Sequence, residues 1–302
     1  MRIQDQLTIY IFSFNRGRFL SNAIDSCLRY APGVPVLVID DNSDDPDTLA
    51  VLNNLPEGVS WVKPQARGDD RHGGLYNNMQ QALDSVTSEW ILFIQDDMQL
   101  VRPLEQDDAQ YIADFFQQFP EKGFLNPVFL KGQRHKRDNR ITRVFEDFHG
   151  YYRHYPEKKN PRGISYADVV IGHAGRLKAK GWQFSASEQT NASQANELFG
   201  GMGFMAHPFV MFLPQVPVYR GKKKTAAVAL AEKWSGMEPK RFVEQSAEHW
   251  AGFKRRPLTE LPVAETYLQC VDPKVKTPYQ YSAVNAYWPL RAWHKLALLL
   301  NK

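Results

Sequence analysis

Asp96 and Asp97 close the run Trp90-Ile91-Leu92-Phe93-Ile94-Gln95. Two adjacent carboxylates in that place can hold a hard cation and accept hydrogen bonds from a hydroxyl-rich or phosphorylated ligand. A second apolar run, Val36-Leu37-Val38-Ile39, ends in the same way, in Asp40-Asp41-Asn42-Ser43. Short, bounded runs of β-formers read as buried parallel strands. In an open α/β sheet ligands collect beyond the carboxyl ends of the strands, so both acid pairs mark one sheet edge as a site.

The elements that must position these acids alternate along the first hundred residues. Strands are expected at 7–13, 35–39, 59–62 and 90–94. Helices are expected at 16–30, with Asn15 as N-cap, at 46–52 with Pro46 near its first turn, at 75–86 after Gly73-Gly74, and at 105–119 before Pro120. This order predicts an α/β fold with a mostly parallel central sheet flanked by helices. Residues 131–163 are polar, basic and aromatic without clear periodicity. A strand at 166–171, a short helix at 175–181 and apolar stretches at 209–213 and 216–219 follow. Beyond 225 the chain reads as helices broken by prolines. The expected division is a domain at 1–224, its first hundred residues binding a nucleotide and 101–224 binding an acceptor, then a helical C-terminal extension at 225–302.

The bulk numbers bound the function. With 302 residues, 43% hydrophobic and 23% charged, the chain can bury a sizeable core. A net charge of +4, without a basic low-complexity tail, gives no case for nucleic acid. Cys27 and Cys270 are too few for a disulfide scaffold and are expected reduced and buried. The polar stretch Met1-Arg2-Ile3-Gln4-Asp5-Gln6 enters a strand directly, and no run approaches the roughly 20 apolar residues of a membrane span. The expected location is the cytoplasm, with a peripheral place at the inner face of the cell membrane as an extension. The segment 287–300 combines Trp288, Trp293, Arg291, Lys295 and leucines at helical spacing, which suits an anionic membrane surface. Packing against the domain or a second subunit is the other reading, and the oligomeric state stays open.

The succession TIYIFSFNR, VLVIDDNSDD, a Gly-opened helix and WILFIQDD resembles the family-two glycosyltransferases, clearly over residues 7–100 and traceably to about 223. The resemblance implies a GT-A fold. It also implies inverting transfer of a sugar from a nucleotide-diphosphate donor to a glycan, such as a growing surface polysaccharide, or to a lipid-linked acceptor, assisted by Mn²⁺ or Mg²⁺. By the same resemblance Ser13, Asn15 and Arg16 lie against the nucleotide, Asp40 and Asp41 read the base, Asp96 takes the ribose and Asp97 holds the metal. Gln95 stands where the first acid of the acid–any–acid motif is usual. Asn77 and Asn78 stand where relatives carry Arg-Asn and a later Gly, so Asn78 is taken as a donor contact, with Arg71 or Arg67 supplying charge from the preceding loop.

An inverting enzyme needs a general base for the acceptor hydroxyl. The resemblance places it on a helix start about twenty residues before a Pro-containing strand pair. Counting back from LPQVPVYR gives Glu197 first, then Glu188, then Asp168. Arg220, followed by Lys222, Lys223 and Lys224, would neutralise the leaving diphosphate; a solvated basic loop is the alternative. His173 reads as a structural histidine before an acceptor contact. The aromatics Phe145, Phe148, Tyr151, Tyr152 and Tyr155 read as packing before a sugar platform. A nucleotidyltransferase lacks its Gly-rich loop after strand one, and a dinucleotide oxidoreductase its G-x-G-x-x-G. A catalytically degenerate nucleotide- or carbohydrate-binding protein on the same fold stays as the non-enzyme alternative.

Overall fold

The computed structural model describes residues 2–64, 74–154, 165, 167–217 and 224–300. Its first half follows the alternating pattern: α1 (Ile3–Gln6), β1 (Leu7–Ser13), α2 (Gly17–Tyr30), β2 (Val36–Asp40), α3 (Pro46–Asn53), β3 (Val59–Val62), α4 (Leu75–Ser85), β4 (Trp90–Gln95), β5 (Met98–Leu100) and α5 (Gln106–Gln118). Then come β6 (Phe124–Asn126), α6 (His135–Ile141), β7 (Thr142–Val144), β8 (Gly150–Arg153), β9 (Val170–His173), α7 (Ala174–Ala179), α8 (Glu188–Phe199), β10 (Gly203–Met205) and β11 (Val210–Phe212). Helices α9 (Ala226–Ser235), α10 (Ala247–Lys254), α11 (Ala264–Tyr267), α12 (Ala283–Ala286) and α13 (Trp288–Leu300) complete the described chain.

Nine strands form one sheet in the order β3-β2-β1-β4-β9-β6-β10-β8-β7. β1 to β4 are mutually parallel; β9 runs antiparallel between β4 and β6, and β8 antiparallel between β10 and β7. Seven of the nine strands therefore point one way, and the carboxyl ends of β1, β2, β4 and β6 share an edge. Along β1 the pleat sends Leu7, Ile9 and Ile11 to the face packed by α2 and α5, and Tyr10 and Phe12 to the face packed by α4, α7 and α8. Burial on both faces is why these strands are apolar throughout rather than alternating.

The expected strand at 166–171 forms later, at Val170–His173. The turn residues before it cannot pair, and Tyr166 lies outside the described residues. Sequence reading missed β5, a three-residue strand that starts directly after Asp97 and pairs antiparallel with β11 in a second, two-stranded sheet. The chain thus turns at Asp96 and Asp97 and leaves the main sheet, so the acids sit in a corner between two sheets. Residues past 225 share a core with the α/β part: Phe19, Phe129 and Met211 pack with Phe242, Trp250, Phe253 and Tyr279. Cys27 and Cys270 are buried free thiols.

Candidate active site

Pairing continues one residue past each strand and lines up the site. The Asp41 amide donates to the Ser13 carbonyl at 2.9 Å, and the Asp96 amide to that of Phe12 at 3.0 Å. The carboxyl ends of β2, β1 and β4 are thereby held side by side. A cleft of about 260 Å³ opens there, lined by Phe12, Ser13, Phe14, Arg16, Asp41, Leu75, Asn78, Gln95 and Asp96. Two aromatic rings and a leucine against polar groups suit a flat, partly polar ligand such as a nucleoside.

Gly74, with φ of 76°, opens α4 in the left-handed region that glycine takes without a Cβ penalty, and its amide donates to Asp41 Oδ1 at 2.9 Å. At the other helix start, Gly17 lets α2 approach α3. A Cβ there would lie 2.3 Å from the Asp47 carbonyl carbon.

The four acids divide by environment. Asp40 is turned inward, accepting from the Ser43 amide at 2.7 Å and its hydroxyl at 2.6 Å, and burial raises its carboxyl above the usual range. Asp40 closes a turn, and Asp41 is the member of the pair that lines the cleft. Asp96 accepts from the Phe14 amide at 3.1 Å and from Arg16 Nη1 at 2.8 Å. Burial pushes its carboxyl up to about 6, with Arg16 opposing and Asp97 adding to the rise. Asp97 is fully buried; its Oδ2 accepts from Arg16 Nη1 at 3.0 Å and from the Tyr281 hydroxyl, while its Oδ1 has no hydrogen-bond partner.

Arg16 spans both acids, and Nη2 donates to the Pro217 carbonyl at 3.1 Å. Burial works against its charge, but Asp96 and Asp97 more than compensate and hold the guanidinium protonated. Its first partners are thus the acids, within reach of any ligand in the cleft. Asn15 is not the N-cap of α2, which is Arg16 without a side-chain cap bond. At φ of 51°, Asn15 accepts from the Asp44 and Asp45 amides at 2.9 and 3.1 Å, fastening the β1–α2 loop to the β2–α3 loop. It is not among the residues that line the cleft. Asn78 does line it, and its Oδ1 is buried there without a partner. Arg67, Arg71, Tyr155, Arg220, Lys222 and Lys223 lie outside the described residues. Lys224 ion-pairs with the buried Glu232 at 2.6 Å and so packs α9 rather than standing free for a diphosphate.

The three general-base candidates lie in different places. Glu197 is exposed in the last turn of α8. That end of the helix lies by the start of β6: Lys122 Nζ donates to the Phe199 carbonyl at 3.3 Å, and a Cβ on Gly123 would meet the Phe199 ring at 2.8 Å. β6 points the same way as β4, so Glu197 sits toward the edge opposite Asp96 and Asp97. Glu188, at the first turn of α8, is at the near end; its charge acts on both Tyr76 and Lys131. Asp168 is buried and accepts from the Tyr76 hydroxyl at 2.8 Å. His173 pairs opposite Trp90, at the far end of β4, and packs its ring on Phe116 at 5.2 Å. Phe145 and Phe148 pack on α5, with ring separations of 4.5 Å (Phe119–Phe145) and 5.6 Å (Phe115–Phe148), as core rather than platform.

Sequence reading missed Tyr281 and Lys131. Tyr281 lies 184 residues from Asp97, and nothing local distinguishes it. Lys131 opens the basic run noted above. Its Nζ sits 3.8 Å from the Phe212 ring centre and 5.2 Å from that of Tyr281. Burial, helped by Arg134 and opposed by Asp97, brings its ammonium down to about 8. Among the described residues no three His, Cys, Asp or Glu side chains form a metal cluster.

The chain is similar to several solved structures at low identity. It is 15% identical to Staphylococcus aureus TarS (TM-score 0.47), covering 68% of this chain and 36% of that one. It is 12% identical to GalNAc-T7 with UDP, GalNAc and Mn²⁺ (TM-score 0.48; 75% and 47% covered). With glucosyl-3-phosphoglycerate synthase from Mycobacterium tuberculosis, bound to Mn²⁺ and uridine-diphosphate-glucose, the identity is 11% (TM-score 0.45; 79% and 83% covered). The chain thus spans about a third of the length of TarS. No curated protein matches it. The family model described as Glycosyl transferase family 2 matches residues 8–179, over half of the chain, and the chain belongs to that family.

Proposed function

We propose that this glycosyltransferase moves a sugar, with inversion, from a nucleotide-diphosphate donor to a hydroxyl of a glycan or lipid-linked acceptor. The observation that carries the reading is the pairing of a cleft with a buried, incompletely satisfied acid: Asp96 lines the cleft, and next to it Asp97 keeps one oxygen unpartnered. A buried carboxylate oxygen without a donor is costly unless a cation completes it. Mn²⁺ or Mg²⁺ fits that oxygen set, since such ions often take only one or two protein carboxylates and draw their other ligands from phosphate and water. Asp97, with Asp96 beside it, would hold the ion, which when bound supplies charge neutralisation at the departing diphosphate.

The remaining steps belong to the chain's own residues. Phe12, Phe14 and Leu75 give the base apolar walls, while Asp41 and Asn78 offer acceptors for its N–H groups and the ribose hydroxyls. Arg16 keeps the acid pair neutralised and shares its charge with incoming phosphate oxygens. Glu188 takes the acceptor proton as the hydroxyl oxygen attacks the anomeric carbon. The new C–O bond forms on the face opposite the breaking bond to phosphate, and the nucleoside diphosphate leaves. A helix start, half-exposed and within electrostatic reach of Lys131, suits that role better than the exposed far end of α8.

One observation favours a second reading. Arg16 already supplies a cation to both acids, as a nucleotide-binding protein without transfer activity would allow. A thermal-shift panel of UDP, GDP, dTDP and CMP with and without Mn²⁺, together with donor hydrolysis, separates the two. Transfer predicts a Mn²⁺-dependent shift for one nucleotide and slow hydrolysis of its sugar, both lost in Asp97→Ala. A shift indifferent to Mn²⁺, with no diphosphate released, would establish the binding protein.

A further inference from the structure

Helix α13 is built to have something against its outer face. Its inner side is occupied: Leu290 is buried, and His294 Nδ1 shares a 2.9 Å hydrogen bond with Thr225 Oγ1, while Tyr287, just before the helix, packs on Trp234 at 5.5 Å. Its outer side is apolar. Trp288 is 74% exposed, Leu299 69% and Leu300 79%, with Leu296, Trp293 and the neighbouring Trp234 of α9 also exposed. At the α-helical advance of about 100° per residue, Trp288, Ala292, Leu296 and Leu299 fall within about 80° of arc. Leu300 and Trp293 continue that arc, while Arg291 and Lys295 border its other side. A contiguous apolar face of this kind on an otherwise polar surface marks an interaction site.

Charge narrows the occupant. Residues 273–302 contain five Lys or Arg and no acid, so this stretch carries +5 where the whole chain carries +4. A polar or cationic partner is disfavoured, and an apolar layer beneath anionic groups is favoured. Thirteen residues at 1.5 Å each give about 20 Å, too short for a hydrocarbon core of about 30 Å. No described helix is long and apolar enough to cross a membrane. The helix can therefore lie in the interface with its tryptophans at headgroup level.

We propose that α13 is an in-plane anchor that lays its Trp288–Leu299–Leu300 face on an anionic lipid bilayer. The consequence for the site is geometric. Tyr281, hydrogen-bonded to Asp97, is seven residues before Trp288, and that length of chain reaches at most about 25 Å. The acid pair is thus held close to the bilayer, where a lipid-borne acceptor would present its hydroxyl. The anchor stands by itself; the lipid-borne acceptor depends on the transfer reading.

The test is co-sedimentation of the full chain with vesicles of phosphatidylcholine alone or with added phosphatidylglycerol, at low and high salt, with light scattering in parallel. Binding is expected to be about tenfold or more tighter with phosphatidylglycerol and to weaken with salt. Trp288→Ser with Leu299→Ser lowers binding to both vesicles on the order of tenfold or more. Arg291→Gln with Lys295→Gln removes mainly the phosphatidylglycerol preference. Donor hydrolysis is unchanged in either variant. Sedimentation with neither vesicle overturns the anchor. So does a doubled mass in solution that Trp288→Ser with Leu299→Ser abolishes, since the face is then covered by a second copy. Vesicle binding without donor hydrolysis defeats the transfer reading and leaves the anchor intact.

Discussion

Two of the buried clusters of arginine and aspartate are finished differently. In the first, all five N–H groups of Arg102 have partners. Nε donates to the Pro208 carbonyl at 3.0 Å, Nη1 to Pro103 and Asp108 at 2.8 Å each, and Nη2 to Asp108 at 2.6 Å and His207 at 2.5 Å. Asp108 also accepts from the Glu105 amide at 2.9 Å, and although burial works against its charge, Arg102 brings its carboxyl below the usual range. In the second, one guanidinium serves two acids, Asp96 is pushed up to about 6, and Asp97 Oδ1 has no partner. One charge against one, with both carboxylate oxygens partnered, makes a staple. One charge against two, beside a cleft, leaves a carboxylate oxygen unpartnered, which is what the proposed cation would complete.

That contrast can be broken at either end. Asp108→Asn should cost about 3–5 kcal/mol in urea denaturation, because it strands the buried Arg102 charge. Nucleotide binding by the folded fraction should be unchanged; an equal loss of both would erase the distinction. Asp97→Asn should do the reverse, lowering donor turnover on the order of 10²–10³-fold, with a thermal midpoint no lower than that of the parent.

The staple also predicts a pH dependence. Burial, reinforced by Arg102 and Arg256, brings the His207 imidazole down from 6.5 to about 3. Between those values the unfolded chain binds more protons, so stability rises with pH across the window and is lost as pH falls from about 6.5 toward 3. The loss is on the order of 2–4 kcal/mol, and His207→Asn should flatten that part of the curve. The smallest effect sharpens the comparison most. Arg16→Met should lower the metal-free thermal midpoint yet tighten Mn²⁺ binding by about tenfold in calorimetry, because protein and metal cations compete for the same oxygens. Weaker Mn²⁺ binding would make Arg16 a supporter of the metal rather than its competitor.

The strands were legible where burial is complete. β1 forms at the expected residues, and β2 and β4 differ only by their terminal residues, because a two-sided apolar run has one way to satisfy both its backbone and its side chains. β3 also forms where expected, but as an edge strand with Ser60 and Trp61 exposed. The acids at the sheet edge were legible too, since carboxylates directly after such strands have no core to enter. Their division of labour was not. Asp40 and Asp41 are adjacent and chemically alike, and only the turn to Ser43 decides which faces the cleft. Glu197 was reached by counting along the chain, whereas α8 runs from one sheet edge to the other, so nine positions place Glu188 and Glu197 toward opposite edges.

The sequence by itself determined the parallel first half of the sheet, the edge at which its acids gather and the apolar, basic character of the last helix. These follow from local periodicity and from residue types that a few neighbours can read. Tertiary structure alone decided that Arg16 turns to the acids, that Tyr281 returns from the C-terminal segment to Asp97, and that Lys131 lies half-buried against Phe212 and Tyr281. Those contacts join residues from distant parts of the chain through closure of the fold, and no local pattern encodes which distant donor will meet a given buried oxygen.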